Sequence, residues 1–382
     1  MIYLDHGATS WPKAPGVSEA MVRYLEHEAG NPGRGGHRLT VAASRTIEAA
    51  REDVAALLGA DPERALFGPG ATFWLNTVLS ARLQPGDRVL TSALEHNAVM
   101  RPLRALEAAR GIDVAIVAGD DPDGLPTAVA FRDAVAEAPT ALVVLTHASN
   151  VTGAVLPVAE IARAVAPVPV VVDGAQTAGS LPAAFGDLGV AAYVCSGHKG
   201  LLGPQGVGVL LLDTGFEVEP WMLGGTGSRS ESEEMPEHLP DRLEAGTPNG
   251  PGIAGLCAAC RWLAERGIDA VAEHEQRVVH RLADGMREIT GVRLHGWRDD
   301  QPHTGVLSFT VSGADNGELA ARLDREHQIC LRAGLHCAPA AHRRLGTFPD
   351  GTLRAGIGPL NNDADVDALV AAVHEPGSRV PG

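Results

Sequence analysis

The chain has 382 residues, 45% of them hydrophobic and 20% charged, which predicts a globular protein with a large domain and a smaller one. Its formal net charge of -16 argues against binding to nucleic acid or to an anionic membrane. No apolar run approaches the roughly 20 residues that span a bilayer, and the N-terminal stretch lacks the basic and apolar regions of a signal peptide. The five widely spaced cysteines predict reduced thiols in a cytoplasmic protein.

Short apolar strands alternate with Ala-, Leu- and Arg-rich helical stretches in the first part of the chain. Strands are predicted at 88–94, 140–149, 168–176, 191–199 and 206–213, with helices near 98–110, 129–137 and 157–166. Nearly continuous apolar strands separated by helices are typical of a largely parallel sheet covered by helices. The last two strands leave no room for a crossover helix between them, so we expect that pair to be antiparallel.

The stretch 224–250 is rich in Gly, Ser, Glu and Pro, which predicts a long loop, with a disordered linker as the alternative. Beyond it the sequence predicts a smaller α/β domain. Its elements are a helical region at 251–290, strands at 304–313 and 352–359, and helices at 316–327 and near 363–374. The predicted domains are therefore 1–250 and 251–382.

Polar residues follow several predicted strands at their carboxyl ends, where open parallel sheets bind their ligands. They are Asn150, Asp173, Gln176, Ser196, His198 and Lys199. Taken alone, Asp173 is better explained as the cap of a helix at 174–180.

Lys199 is one of only two lysines. Of the 31 basic residues, Lys13 and Lys199 are lysine and the other 29 are arginine. Arginine can serve solubility and surface ion pairs, but its guanidinium stays protonated and cannot attack a carbonyl as an amine can. Chance retention on a loop is the alternative explanation.

A phosphate and an aromatic ring also have candidate partners. Gly68, Gly70, Ala71 and Thr72 lead into a predicted helix whose free N–H groups would suit a phosphate. His96 follows a strand, where its ring could stack on a flat ligand, although a lone histidine is often structural. An amine, a carboxylate, a phosphate cradle and a stacking ring together indicate a pyridoxal phosphate site. There Lys199 would form the Schiff base and Asp173 would keep the pyridine nitrogen protonated.

Eight stretches in chain order carry a family resemblance that runs from about residue 3 to residue 373. They are "YLDHGATSWPKAPGV", "GATFWLN", "EHNAVMRP", "HASNVTGAVLPV", "VVDGAQ", "SGHKGLLGPQGVGVL", "EAGTPN" and "RAGLHCAP". This series resembles the class V aminotransferase superfamily, and more closely the group II cysteine desulfurases and selenocysteine lyases. The "SGHKGLLGPQGVG" and "DGAQ" stretches are specific for the cofactor fold, while "RAGLHCAP" narrows the activity.

The resemblance implies a pyridoxal phosphate enzyme of fold type I, with a mostly parallel sheet in the large domain and a smaller α/β C-terminal domain. It implies a homodimer with sites at the interface and an N-terminal segment, 1–15, that packs with the small domain. The roles it implies are these: Lys199 for the Schiff base; Asp173 and Gln176 for the ring nitrogen and phenolic oxygen; His96 for stacking; Ala71 (by its backbone), Thr72, Ser196, His198 and the other subunit's Thr247 for the phosphate; Asn150, Arg354 and Arg332 for the substrate; Cys337 for the sulfur.

Three positions depart from the family pattern. Ala71 stands where many group II members have a hydroxyl residue, so only a backbone contact is available there. Leu335 precedes His336 and Cys337, where relatives often have a second histidine, which leaves the activation of the thiol open. His6 stands where relatives commonly have Asn or Ser.

Cys337 is the best candidate for a reactive thiol among the cysteines. It has Arg332 and His336 close in sequence and lies on a loop with Gly334 and Pro339, which suits a presented thiolate. Cys195 and Cys330 lie in predicted strands and are expected to be core residues. Cys257 and Cys260 form a CxxC without a second ligand pair, so no metal site is predicted, and helix packing explains them.

The resemblance predicts conversion of L-cysteine to L-alanine, with the sulfur left as a persulfide on Cys337 for an acceptor protein. The alternatives are a selenocysteine lyase, a class V C–S lyase or aminotransferase of another substrate, and a non-catalytic cofactor-binding partner in a sulfur-transfer complex. The presence of both Lys199 and Cys337 argues against the last of these.

Overall fold

The structure is a computed structural model that describes residues 1–33, 35–120 and 125–375, so the end of the predicted small domain, 376–382, lies outside it. The strands in the described residues are β1 (Ile2–Tyr3), β2 (Ala65–Gly68), β3 (Arg88–Ser92), β4 (Asp113–Val117), β5 (Leu142–Thr146), β6 (Val170–Asp173), β7 (Ala192–Ser196), β8 (Gly208–Leu212), β9 (Val292–His295), β10 (Val306–Val311), β11 (Ile329–Cys330), β12 (Arg332–Gly334) and β13 (Thr352–Gly356).

The α-helices in the same residues are α1 (Val17–Arg23), α2 (Arg38–Leu58), α3 (Ala71–Arg82), α4 (Asn97–Arg110), α5 (Ala128–Glu137), α6 (Val158–Val165), α7 (Phe185–Leu188), α8 (Gly250–Arg266), α9 (Ile268–Arg287), α10 (Asn316–His327), α11 (Pro339–Leu345) and α12 (Asp363–His374). None of the described helices has both the length and the apolar character needed to cross a membrane.

Seven strands form the large sheet, in the order β2-β8-β7-β6-β5-β3-β4. The neighbours from β4 through β7 run parallel, and β8 runs antiparallel to both β7 and β2. The predicted parallel sheet and the predicted antiparallel β7–β8 pair are both confirmed. The sequence analysis missed β2, which has four residues, and β4, which is half exposed at the sheet edge and lacks a continuous apolar run.

The carboxyl ends of β3, β5, β6 and β7 meet at one edge of this sheet. Predicted strands were longer than the observed ones, because residues after Thr146, Asp173 and Ser196 leave the ladder and turn. Those turns carry the polar residues that the sequence analysis singled out. The three predicted helices correspond closely to α4, α5 and α6.

A smaller antiparallel sheet has the order β12-β13-β10-β9, and β1 pairs with β11 in a separate parallel ladder. Residues from α9, α10 and α12 cover the small sheet in one apolar cluster that also contains Leu4. Asp5 then bridges to Gly356 on β13. The start of the chain thus lies against elements from its far end.

Helix α8 packs with the large sheet rather than with the small one. Ile253, Leu256, Cys257, Cys260 and Leu263 belong to the same apolar cluster as the large-sheet strands and α2. The domain boundary at 250/251 stays a prediction, and this packing leads us to propose a boundary further along the chain, between α8 and α9.

The segment 224–250 is irregular but anchored. Glu244 accepts hydrogen bonds from Arg51 Nη1 (2.7 Å), from Arg51 Nη2 (2.9 Å) and from the backbone N–H of Phe67 (2.7 Å). Both charged side chains are largely buried. This contact fixes the end of the segment against α2 and β2, in keeping with a structured loop rather than a linker.

A buried carboxyl ties β3 to β5 at the edge where the strands end. Glu95 Oε1 accepts hydrogen bonds from Ser92 Oγ (2.6 Å) and from the backbone N–H of Thr146 (3.0 Å), while its Oε2 has no partner among the described residues. Burial, opposed by the hydrogen bonds from Ser92 and Thr146 and aided by the charge of Asp173, raises the pKa of Glu95 to about 8. Glu95 is therefore a protonated acid at neutral pH.

Because Glu95 is protonated when folded, the free energy of unfolding should depend on pH, and Glu95→Gln should remove that dependence. The Glu95 pKa is about 8 when folded against 4.5 unfolded, so between these values the folded state holds an extra proton and stability falls as pH rises. Relative to Glu95→Gln, the wild type should lose roughly 2 kcal/mol of unfolding free energy between about pH 5.5 and pH 7.5. Urea denaturation at a series of pH values measures this difference.

Glu107→Gln is the matched control, because Glu107 is a half-exposed residue of α4 that pairs with Arg104. Its stability should follow that of the wild type across the same pH range. Parallel pH curves for wild type and Glu95→Gln would show that Glu95 is ionised in the folded protein.

Candidate functional site

The site is built around Lys199, in the turn after β7, and Asp173, the last residue of β6. Burial lowers the pKa of Lys199, and the charge of Asp173 acts in the opposite direction. Burial likewise raises the pKa of Asp173, opposed by the charge of Lys199. Desolvation favours the uncharged amine, which is the nucleophilic form of a lysine.

The structure brings three distant residues into the electrostatic environment of this amine. Arg354 and Arg332 lower the pKa of Lys199, and Cys337 raises it. They lie on β13, on β12 and in the turn between β12 and α11. The small sheet thus supplies a second wall of the site opposite the large sheet.

Arg354 is buried, with 2% of its surface exposed, yet it is only partly satisfied. Its Nη2 donates to Asp5 Oδ1 (2.9 Å) and its Nη1 donates to the carbonyl of Asn150 (2.9 Å), while Nε has no partner in the described residues. Asp5 also pairs with Arg332 at 3.0 Å. A small carboxylate would satisfy the unpaired guanidinium N–H.

Asn150 links Arg354 to the loop that carries Cys337. Its Nδ2 donates to the carbonyl of His336 (2.6 Å), and its Oδ1 is buried without a partner among the described residues. The predicted substrate residues are therefore linked, since Arg354 pairs with Asp5, as Arg332 does, and also donates to the carbonyl of Asn150.

His96 caps α4, since its Nδ1 accepts the backbone N–H of Ala98 at 3.0 Å. Burial, and then the charge of Lys199, lowers the pKa of His96 to about 4, so the ring is neutral. Gln176 donates from Nε2 to the carbonyl of Gly7 (2.9 Å). The neutral ring of His96 near Lys199 and the polar side chain of Gln176 fit an aromatic cofactor.

The phosphate candidates lie at strand ends and at the start of α3. No side chain caps α3 at Gly70, and a Cβ built there would meet open space, so the first N–H groups of the helix are free for an anion. Ala71 is buried and Thr72 is exposed at this end. Ser196 is buried at the end of β7.

His198 offers another unsatisfied group to an anion. Burial, and then the charge of Lys199, lowers the pKa of His198 to about 4, and its buried Nδ1 has no partner in the described part of the chain. The amine, the carboxylate and these unpaired polar atoms together fit pyridoxal phosphate.

Thr247 is not brought to this cluster. It is exposed and lines a groove of about 1670 Å³ beside Phe73, Glu244 and Met222, and the lining of that groove includes neither Lys199 nor Arg354. Its assignment to the phosphate of a second subunit stays a prediction.

Cys337 is exposed on a loop with an unusual backbone. Both His336 (φ 47°) and Cys337 (φ 58°) adopt the left-handed conformation that non-glycine residues rarely take. The loop is held in place by Asn150, described above, and by the backbone N–H of Asn97, which donates to the carbonyl of Cys337 (2.7 Å). The thiol is therefore presented from a fixed turn whose anchors lie in the site.

The expectation that His336 supplies positive potential to the thiol is wrong. Its ring is buried with Nε2 against Thr352 Oγ1 at 3.2 Å, and burial, followed by the charge of Arg354, lowers the pKa of His336 to about 2. It is neutral and directed inward, so it adds no positive charge near the thiol.

The other cysteines lie in packed environments. Cys195 is buried on β7, and Cys257 and Cys260 are buried on α8, where burial raises the pKa of all three thiols. Cys330 is partly exposed on β11, and burial raises its pKa too.

Sequence reasoning missed several residues that shape the site. Asp5 holds both arginines, and its only signal was its place in the "YLDHGA" stretch. Glu275 on α9 lines a cavity with Ser180 and Lys199, and burial raises its pKa to about 8. A helical glutamate gives no sequence signal for such a place. Lys13 lies beside His198, and the rarity of lysine was the signal.

Comparison with known proteins agrees with this geometry. The sequence profile of the aminotransferase class-V family matches residues 2–369. The chain is 34% identical to a probable cysteine desulfurase of Methanothermobacter thermautotrophicus, over 98% of this chain and 94% of that protein. It is also 34% identical to the cysteine desulfurase CsdA of Escherichia coli, over 97% of this chain and 93% of that protein.

The fold also matches the apo structure of a cysteine desulfurase from Thermococcus onnurineus NA1, with a TM-score of 0.91 and 32% identity. That match covers 98% of this chain and 94% of the other. With the family profile covering nearly the whole chain, the protein belongs to the aminotransferase class-V family.

Proposed function

We propose that the protein is a pyridoxal phosphate-dependent cysteine desulfurase that converts L-cysteine to L-alanine. The observation that carries this proposal is an exposed thiol, Cys337, on a fixed turn within the electrostatic environment of the buried amine of Lys199. An amine that binds the cofactor and a thiol that takes sulfur are the two groups that desulfuration needs. The names of the relatives support the same activity.

The cofactor would be held by the residues at the carboxyl edge of the large sheet. Lys199 would bind it covalently, Asp173 and Gln176 would contact its ring, and His96 would stack on it. The free N–H groups at Ala71 and Thr72, with Ser196 and His198, would bind its phosphate. The group supplies an electron sink that labilises bonds at the substrate's α-carbon.

The substrate would lie between the two sheets. Arg354 and Asn150 would bind its carboxylate through the polar atoms that lack partners, with Arg332 beside them. A neutral Lys199 amine, once released, would be placed to move the proton at the α-carbon. The sulfur would then face the loop that carries Cys337.

Sulfur transfer would be a displacement at the substrate's sulfur. The Cys337 thiolate forms the new S–S bond, the substrate's C–S bond breaks, and a proton takes the place of sulfur at the β-carbon. The products are alanine and a persulfide on Cys337, which an acceptor protein would receive. Arg354, rather than the neutral His336, would supply positive charge near the thiol.

Three further features belong to this proposal. A second copy would complete the site by supplying Thr247, so a homodimer is expected. A free Cys337 requires a reducing compartment, which favours the cytoplasm. Selenocysteine lyase is the second candidate, since the same site would accept selenium in place of sulfur.

Arg354→Ala should raise the KM for cysteine by about thirtyfold or more, because a charge-assisted contact with the α-carboxylate contributes about 2–3 kcal/mol. The visible absorbance of the bound cofactor should remain. Alanine production at a series of cysteine concentrations measures the effect. Arg293→Ala, an exposed arginine on β9 of the same sheet, is the control and should leave the KM unchanged. Loss of the cofactor at unchanged KM would instead assign Arg354 to the phosphate or the fold.

Cys337→Ala should fold and bind pyridoxal phosphate but lose sulfur transfer from cysteine, because no thiolate remains to accept the sulfur. Persulfide labelling followed by mass spectrometry should find the label on the Cys337 peptide of the wild type and not in the variant. Cys330→Ala, at the other partly exposed cysteine, is the control and should keep both activity and label.

Full alanine production by Cys337→Ala would remove this cysteine from the mechanism. Activity that survives on selenocysteine alone would favour the lyase.

A further inference from the structure

We propose that Lys13, the second of the two lysines, is a positioning residue that fixes the peptide between His198 and Lys199. The inference rests on the proposed function, in which Lys199 binds the cofactor. It gives a role to a residue that the proposed chemistry leaves unused.

The ammonium of Lys13 meets three acceptors around one point. Its Nζ lies 2.9 Å from Ser10 Oγ, 3.4 Å from Thr9 Oγ1 and 3.4 Å from the backbone carbonyl of His198. A lysine ammonium has three N–H donors, so each donor has one acceptor. Within the described residues, no carboxylate pairs with Lys13, which is half-buried.

The carbonyl of His198 also accepts hydrogen bonds from three donors of Thr9 and Ser10. The backbone N–H of Ser10 donates to the His198 carbonyl at 2.8 Å, and the hydroxyls of Thr9 and Ser10 each donate at 3.1 Å. The two hydroxyls therefore accept from Lys13 and pass a hydrogen bond on to the carbonyl. One peptide oxygen, directly before Lys199, is the point on which the whole group converges.

A second contact joins the N-terminal segment to the turn that carries Lys199. The backbone N–H of Ala14 donates to the carbonyl of Leu202 at 3.3 Å, and the N–H of Leu202 donates to the carbonyl of Lys199 at 2.8 Å. Residues 9–14 thus bracket 198–202 at both ends. Lys13 lies between these two contacts and joins the hydroxyls to the carbonyl.

The geometry suits a lysine at this position, although 29 of the 31 basic residues in the chain are arginine. A compact ammonium points its donors at three acceptors around a single centre, whereas a planar guanidinium spreads its donors in a fixed fork. Burial lowers the pKa of Lys13 to about 8, so it remains protonated at pH 7. Burial is the main cause that lowers the pKa of His6 and of His198, and the charge of Lys13 acts in the same direction.

Hydrogen–deuterium exchange on the full-length protein tests the role, with and without pyridoxal phosphate. In Lys13→Met the peptide that covers 196–203 should exchange about tenfold faster, the change that the loss of one charge-assisted hydrogen bond produces. Peptides from α9, α10 and α12 should be unchanged. Lys13→Arg should fall between the two, because it keeps the charge without the three-acceptor geometry.

Binding and kinetics give the second readout. Lys13→Met should bind pyridoxal phosphate about tenfold more weakly and show a lower kcat at saturating cofactor. The KM for cysteine should stay within about twofold, since Asp5, Arg354 and Asn150 are untouched. Arg132→Met, which removes an exposed cation on α5, is the matched control and should behave as the wild type.

Unchanged exchange over 196–203 in Lys13→Met would overturn the proposal, as would an increase spread evenly over the chain, which indicates a general folding role. Should Lys13→Met fail to fold, Ser10→Ala removes one acceptor and one donor of the group and should give a local increase of about threefold. A wild type that binds no pyridoxal phosphate would refute the proposed function, while the exchange without cofactor would still decide the role of Lys13.

Discussion

The burial of one lysine amine at the carboxyl edge of the large sheet is the constraint on which the rest of the site depends. An isolated buried ammonium is costly, so the amine is driven toward its neutral form, and Asp173 on the adjacent strand limits that shift. Parallel strands β6 and β7 are what place these two groups side by side. This pair of groups supplies an amine nucleophile, Lys199, and a carboxylate, Asp173, that can contact the nitrogen of a pyridine ring.

The N-terminal segment contacts three separate parts of the site. Residues 5–13 contact Arg354 through Asp5, Gln176 through Gly7, and His198 through Thr9, Ser10 and Lys13. Each contact joins the N-terminal segment to an element that comes much later in the sequence. The turn before Lys199, the side chain of Gln176 and the side chain of Arg354 therefore all contact the same N-terminal segment. This segment links the large sheet to the small sheet.

The sequence predicted the large sheet well because its central strands are continuous apolar runs bounded by helices. It missed β4 because an edge strand needs no such run, and β9 and β12 because short strands of a small antiparallel sheet carry little pattern. Chemistry-bearing residues at strand ends were recognisable, since the strand fixes where its last residue must lie. Asp5, Glu95 and Glu275 were not, because their roles arise from burial against distant elements. The inward direction of His336 likewise depends on a left-handed turn that the sequence does not reveal.

The identity of the amine that binds the cofactor tests the account most directly. Lys13 and Lys199 are the only two lysines in the sequence. Borohydride reduction of the protein with pyridoxal phosphate, followed by digestion and mass spectrometry, should place the cofactor on the Lys199 peptide alone, with no adduct in Lys199→Arg. An adduct on Lys13 in the wild type, or a reducible visible band in Lys199→Arg, would contradict the assignment of Lys199 as the reactive amine.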